Sequence, residues 1–383
     1  MRFSTRSIHI GEEPDTEKGT GDVVSPIHLS TTFARREPGK PTKGYEYTRS
    51  GNPTRKSLED KIASLENAKH GLMFSSGLAA ETTLFLSLLK TGDHVIASDD
   101  LYGGTERLLR SVLSHLGITY ELRDLTKKDS LEHVPDNTKI VYLETPSNPL
   151  LRIIDIRDVS RAVKKFGINL AVDNTFATPY FQNPLEFGAD VVIHSTTKYI
   201  NGHSDSLGGA LVTNDKDIFD VLRFNQNATG SVLSPFDSYL TMRGVKTLAV
   251  RMREHEKNAG EIVSFLKDNS KVEKLYYPGL EDHENHEVAR KQMRGYGGMI
   301  SFKLHAGDDG IKRFVGSLKY ISLAESLGGV ESLIEVPSLM THSGIPKEIR
   351  ERYGITNDLI RFSVGIEDYE DLIEDLSGAL ANV

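Results

Sequence analysis

Residues 169–198 read NLAVDNTFATPYFQNPLEFGADVVIHSTTK. Two short apolar runs stand out, Leu170-Ala171-Val172 and Val191-Val192-Ile193, separated by polar and glycine-bearing segments. Runs of this length and composition predict strands buried on both faces. Working outward, residues 94–97 and 139–143 have the same character. Helical periodicity fills several intervals, as at residues 104–116, stopped by Gly117, and at 156–166. Apolar strands alternating with helices predict an α/β fold with a mostly parallel sheet flanked by helices.

Before this core, residues 55–66 form an amphipathic pattern with Leu58, Ile62 and Leu65 on one face, and residues 78–89 predict a second helix ended at Thr91-Gly92. Residues 1–53 are rich in Gly, Pro, Thr and charge and read as an extended N-terminal arm. After about residue 240 the pattern changes. A long helix over 245–268 leads to a smaller α+β domain with strands at 299–304 and 359–364 and a terminal helix at 369–380. The expected division is therefore an arm (1–53), a large domain (54–244) and a C-terminal domain (245–383).

Bulk properties narrow the function classes. A formal net charge of -8 argues against a nucleic-acid binder, which needs a basic face. Cysteine is absent, which excludes disulfides, thiolate metal sites and cysteine nucleophiles. The first residues lack the unbroken apolar stretch of a signal peptide. The most apolar window, 71–89, is interrupted by Ser75, Ser76 and Glu81, so no membrane span is expected. A cytoplasmic protein without a metal site is the expectation.

Ligands of open parallel sheets sit at the carboxyl ends of the strands. Asp173 follows one apolar run; His194-Ser195-Thr196-Thr197-Lys198 follows the other. Parallel strands would bring an acid and a lysine to one rim. Ser75-Ser76-Gly77 opens the helix at Leu78, whose free amides form a ready anion site. These parts suit pyridoxal phosphate. Lys198 would bond the cofactor aldehyde, and Asp173 would keep its pyridine nitrogen protonated. Ser195, Thr197 and the amides of Gly77 and Leu78 would hold the phosphate, and Tyr102 would stack on the ring. Arg361, a charge inside the apolar run 359–364, must be paired or face a site, and suits a substrate carboxylate.

Taken singly, each residue has a blander reading: a helix cap, a solvated lysine, a structural ion pair or a packed tyrosine. Their order on successive strand ends favours the functional one. Rival motifs are incomplete. Ser195-Thr196-Thr197-Lys198 matches Ser-x-x-Lys, but Ser204-Asp205-Ser206 and Lys246-Thr247-Leu248 do not supply the partner motifs of serine acyl transfer. The stretch Gly202-His203-Ser204-Asp205-Ser206 lacks the last glycine of a nucleophile elbow. His283-Glu284-Asn285-His286 has the wrong spacing for zinc and reads as polar loop. The acidic run 367–375 reads as a solvated helix face. A non-enzymatic scaffold has no interaction motif in its favour.

At these positions the chain resembles a known family along nearly its whole length. The motifs are YEYTRSGNPTR (45–55), SSGLAA (75–80), DDLYGGT (99–105), ETPSNP (144–149), AVDNTFATPYFQ (171–182), STTKYINGHSD (195–205) and LAESLGGVESL (323–333). They are similar to the Cys/Met-metabolism group of pyridoxal-phosphate enzymes, the trans-sulfuration enzymes, nearest its cystathionine γ-lyase and γ-synthase branches. The resemblance implies the type I, aspartate aminotransferase-like fold. It implies Lys198 as the Schiff-base lysine, Asp173 as pyridinium partner, and Tyr102 as stacking ring and proton-transfer aid. Asn148 would meet the cofactor's 3-hydroxyl and border the substrate. Arg361 and Ser326 would bind the substrate carboxylate. Tyr47 and Arg49 of the arm would cross to a neighbouring subunit and bind its cofactor phosphate, in a homotetramer built from two active dimers.

The reaction implied is γ-elimination on L-cystathionine, giving cysteine, 2-oxobutanoate and ammonia. The alternative is γ-replacement on an O-acylhomoserine with cysteine. O-acetylhomoserine sulfhydrylases share much of the motif set but tend to be longer. Methionine γ-lyases typically carry cysteine where this chain has Gly104. Glu325 stands where β-lyases tend to have tyrosine; an acid there resembles the γ-lyase and γ-synthase pattern and would help hold the distal amino group of cystathionine.

Overall fold

The computed structural model describes residues 1–17 and 19–383. Among them, seven strands form the larger sheet: β1 (His70–Phe74), β2 (His94–Ser98), β3 (Thr119–Arg123), β4 (Thr138–Glu144), β5 (Asn169–Asp173), β6 (Val191–Ser195) and β7 (Gly209–Thr213). Their order is β1-β7-β6-β5-β4-β2-β3. The strands from β2 to β6 pair in parallel, whereas β7 runs antiparallel to both β6 and β1. The sheet is thus mostly parallel, with a reversed strand that the sequence reading did not contain.

Alternation along each central strand explains the near-continuous apolar runs. Tyr142 and Ala171 pack on one face with Leu84, Phe85 and Leu108, while Val141, Leu143, Leu170 and Val172 pack on the other with Ile156, Val159 and Val163. Helices cover both faces, so neither set of side chains meets water. Each such buried aliphatic side chain is worth about 1.5–3 kcal/mol relative to exposure.

Helix ends fall where local chemistry stops them. Asn52 caps Pro53–Leu65 by accepting from the amides of Thr54 and Arg55, and Ser76 caps Gly77–Leu88 by accepting from Ala79. The expected helix over 104–116 is an α-helix, Gly103–Ser111, followed by a 3-10 turn, Leu113–Leu116, with Gly117 in the left-handed region. The expected helix over 245–268 is Leu248–Lys267, and a separate helix, Pro235–Val245, precedes it. Arg251 holds the joint between them: its guanidinium donates to the carbonyls of Gly244, Tyr199 and Ile200, tying the joint to the turn after β6.

The second sheet comprises β8 (Val272–Tyr276), β9 (Met299–Leu304), β10 (Ser322–Leu323), β11 (Leu333–Glu335) and β12 (Leu359–Ser363), in the order β10-β11-β12-β9-β8. Only β10 and β11 pair in parallel. Helices Leu248–Lys267, Asp308–Ser317 and Tyr369–Leu380 bury one face around Phe302, Phe314, Phe362 and Leu376.

Three surface expectations are corrected. The arm begins with a helix, Phe3–His9, docked through buried Lys61, which donates to the carbonyls of Ser7 and Ile8 and pairs with Glu12. In the acidic run, Asp375 is buried and accepts the amides of Lys319, Tyr320 and Ile321 at 2.8–3.0 Å. His283 is half-buried against the Leu151 carbonyl at 3.1 Å, and His286 opens the helix His286–Gln292. Among the described residues, no helix is long and apolar enough to cross a membrane.

Candidate active site

A cavity of about 470 Å³ opens where the carboxyl ends of β4, β5 and β6 face the second sheet. Gly77, Leu78, Tyr102, Asn148, Asp173, Ser195, Thr197, Lys198, Glu325, Ser326 and Arg361 all line it. A larger cavity of about 610 Å³ beside Arg152 and Tyr276 is bordered by none of them, so chemistry rather than size marks the site. Tyr47 and Arg49 are not brought to the cavity by their own chain. Tyr47 is 41% exposed, and the Arg49 guanidinium sits 5.3 Å from its ring centroid while its Nε donates to Asn227.

Lys198 stands three residues beyond β6, in a turn where its amide donates to the Ser195 carbonyl. Its Nζ donates to Ser326 Oγ at 2.8 Å. Burial, reinforced by the nearby Arg361 charge, lowers the amine to about 8. Ser326 has φ +85°, a left-handed conformation that L side chains rarely adopt. That turn aims its hydroxyl at Lys198 while its carbonyl accepts from Arg361 Nη2 at 2.7 Å. Arg361 also donates to Asn148 Oδ1 at 3.1 Å and pairs with Glu335 at 2.9 Å. Its Nε keeps no partner among the described residues.

Acids gather on the opposite wall. Register places Asp173 beside Glu144, and Glu81 lies one helical turn past Gly77 on the same helix face. Burial pushes all three carboxyls up, Glu81 to about 8 and Glu144 well above the usual range, with the charge of Asp173 adding to both. Asp173 is the best supplied with donors: the Thr175 amide reaches it at 2.8 Å and the Tyr142 hydroxyl at 3.3 Å. It is therefore the acid best placed to stay ionised. Glu144 instead accepts the Tyr102 amide at 2.9 Å, fixing the loop that carries that ring.

The remaining wall is a close-packed anion cradle. A Cβ added at Gly77 would meet Ser195 at 3.1 Å, and one at Gly209 would meet the Ser76 carbonyl oxygen at 2.2 Å. Glycine at both positions lets the helix start press against β6 and β7. The first amides of that helix have no partner within it and carry the positive end of its dipole. Thr197 is held by exchanging hydrogen bonds with the backbone of Gly208. A lysine with a lowered pKa, an acid supplied with donors, an amide cradle and an exposed tyrosine ring fit pyridoxal phosphate.

Residues 4–381 match the sequence model of a family described as Cys/Met metabolism PLP-dependent enzyme. The chain belongs to this family. Its cofactor is pyridoxal 5'-phosphate. Within the Cys/Met-metabolism family, the chain is 51% identical to a cystathionine γ-lyase from Dictyostelium discoideum, over 99% of this chain and 97% of that one. It is 52% identical to a cystathionine β-lyase from Lactococcus lactis subsp. cremoris (strain MG1363), over 99% and 98%. The solved structure of a Xanthomonas oryzae cystathionine γ-synthase in complex with aminoacrylate and cysteine superposes with TM-score 0.96 at 44% identity, covering 100% of this chain and 98% of the other. The expected type I fold is borne out by this family's structures.

Several lining residues escaped sequence reasoning: Glu81, Glu144, Thr175, Phe176, Leu207, Leu327 and Thr341. Two carried a usable signal. Glu144 directly follows an apolar strand run, and Glu81 is an acid four residues into an apolar helix that starts at the site.

Proposed function

We propose that the enzyme catalyses γ-elimination on L-cystathionine, consuming water and giving cysteine, 2-oxobutanoate and ammonia. The observation that carries this reading is the Lys198–Ser326–Arg361 bridge beside Glu325 on one cavity wall. Arg361 and Asn148 would grip the substrate α-carboxylate, with the Ser326 carbonyl fixing the guanidinium. Glu325 would hold the distal ammonium of cystathionine, a contact that a shorter substrate lacks.

Bound pyridoxal phosphate supplies an electron sink for negative charge developing at the substrate carbons. Gly77, Leu78, Ser195 and Thr197 would hold its phosphate, and Tyr102 would lie against its ring. Asp173 would keep a proton on the ring nitrogen. Lys198, lowered to about 8, would take the Cα proton and then a Cβ proton. Tyr102 would assist by giving a proton to the departing sulfur. The arm belongs to the same proposal: exposed Tyr47 and Arg49 would serve the cofactor phosphate of a neighbouring subunit in a homotetramer. So does the division into an arm (1–53), a cofactor domain (54–244) and a C-terminal domain (245–383).

A second reading, β-elimination to pyruvate, homocysteine and ammonia, is favoured by the Lactococcus relative's name at 52% identity. The Glu325 carboxylate supports the first. Identifying the keto acid formed from L-cystathionine separates them: 2-oxobutanoate supports γ-elimination, and pyruvate as main product would replace it.

A further inference from the structure

Arg361 already has an anionic partner. Glu335 on β11 stands opposite Arg361 on β12, and its Oε1 lies 2.9 Å from Nη1, with the two side chains 1% and 3% exposed. The same Oε1 accepts the Thr341 hydroxyl at 2.8 Å. Oε2 of Glu335 and Nε of Arg361 are buried with no partner among the described residues. One cation and one carboxylate thus balance behind the cavity wall.

A ligand carboxylate docking on Arg361 would put two anions on one cation, away from water, where like charges repel strongly. The remaining charges facing Glu335 give no net relief, because Glu325 outweighs Lys198. Glu325 opposes its charge from the loop after β10, while Lys198 and Arg361 favour it. His342, beside Thr341, is held at about 4 by burial and by Arg361, so it stays neutral. Burial already raises the proton affinity of Glu335 itself.

We infer that Glu335 makes carboxylate docking proton-coupled: it binds one solvent proton as a carboxylate ligand takes Arg361. Oε2, the oxygen without a donor, receives that proton, and the guanidinium is released to pair with the ligand. Glu335 is thereby a positioning residue that sets the pH range of substrate capture. This rests on Arg361 as the carboxylate site of the proposed reaction.

The test uses holoenzyme and butanoate, a carboxylate with no amine to react with the cofactor. Its inhibition constant is followed across the neutral range, and proton uptake is read by calorimetry in buffers of different ionisation enthalpy. Wild type should take up close to one proton per butanoate, with affinity falling by up to about tenfold per pH unit. Glu335→Gln should abolish both the uptake and the pH slope. Thr341→Val, which removes a donor to the charged form, should shift the slope to higher pH. Each variant is scored with cofactor absorbance retained. Butanoate binding to wild type without proton uptake, or uptake retained in Glu335→Gln, overturns the proposal. Butanoate affinity unchanged in Arg361→Ala would instead overturn Arg361 as the carboxylate site. If Glu335→Gln fails to fold, wild-type uptake and the Thr341→Val shift still decide.

Discussion

Lys198, in the turn after β6, and Arg361, on β12 of the other sheet, are joined through one residue: Ser326 accepts from the lysine with its hydroxyl and from the arginine with its carbonyl. The base that would move protons and the cation that would hold the substrate are thereby kept in fixed relation. Small displacements of such groups are costly in rate, because bound geometry replaces a bimolecular encounter. Ser326 holds a left-handed backbone to do this.

Replacement of Lys198 by Ala is expected to cut turnover by at least about a thousandfold, since base and cofactor attachment are lost together. The visible cofactor absorbance should change with it, while far-UV circular dichroism stays as in wild type. A Lys198→Ala enzyme with wild-type kcat would remove the lysine from the chemistry.

The pH dependence follows from the lowered Lys198 amine. Free amine is what captures the cofactor, so apo-protein should incorporate pyridoxal phosphate at a rate that rises through about pH 8 rather than near 10.5. For stability the sign is fixed by proton counting. The unfolded chain binds more protons on this group between about 8 and 10.5, so the burial penalty is fully present below that window. It is relieved as pH rises through it. Stopped-flow absorbance against pH checks the first statement, and denaturant titration of apo-protein across the window checks the second.

Arg49→Ala should weaken cofactor retention, and mixing it with Lys198→Ala should restore activity. A mixed dimer would contain one site with an intact lysine and an intact arm from its neighbour. Refolded mixtures no more active than the separate variants would mean that each arm serves its own chain.

Asp375→Ala removes the acceptor of three amides at Lys319, Tyr320 and Ile321. Leaving those donors unpaired should cost about 1–3 kcal/mol, measured by chemical denaturation, with kcat unchanged in the folded enzyme.

What was legible in the sequence is what local pattern encodes. The runs at Leu170 and Val191 are apolar because both faces of β5 and β6 are covered, and Asp173 and Lys198 follow from strand polarity. The two motifs therefore meet on one rim. β7 escaped because Gly209–Thr213 is five residues beginning with glycine, and its reversed direction is set by pairing with β1 and β6. The helix Phe3–His9 depends on Lys61 and Glu12, and the joint at Thr247 is held by Arg251, contacts that no local window contains. Glu335 lies two residues past the last residue of the 323–333 motif, and only strand register places it opposite Arg361.

The most direct test compares initial rates of one holoenzyme preparation in two tubes, L-cystathionine alone and an O-acylhomoserine with cysteine. Fast release of 2-oxobutanoate and cysteine is expected in the first tube and slow formation of cystathionine in the second. Predominant cystathionine synthesis, with little keto acid from cystathionine, would contradict the proposed γ-elimination and make the enzyme a γ-replacement catalyst.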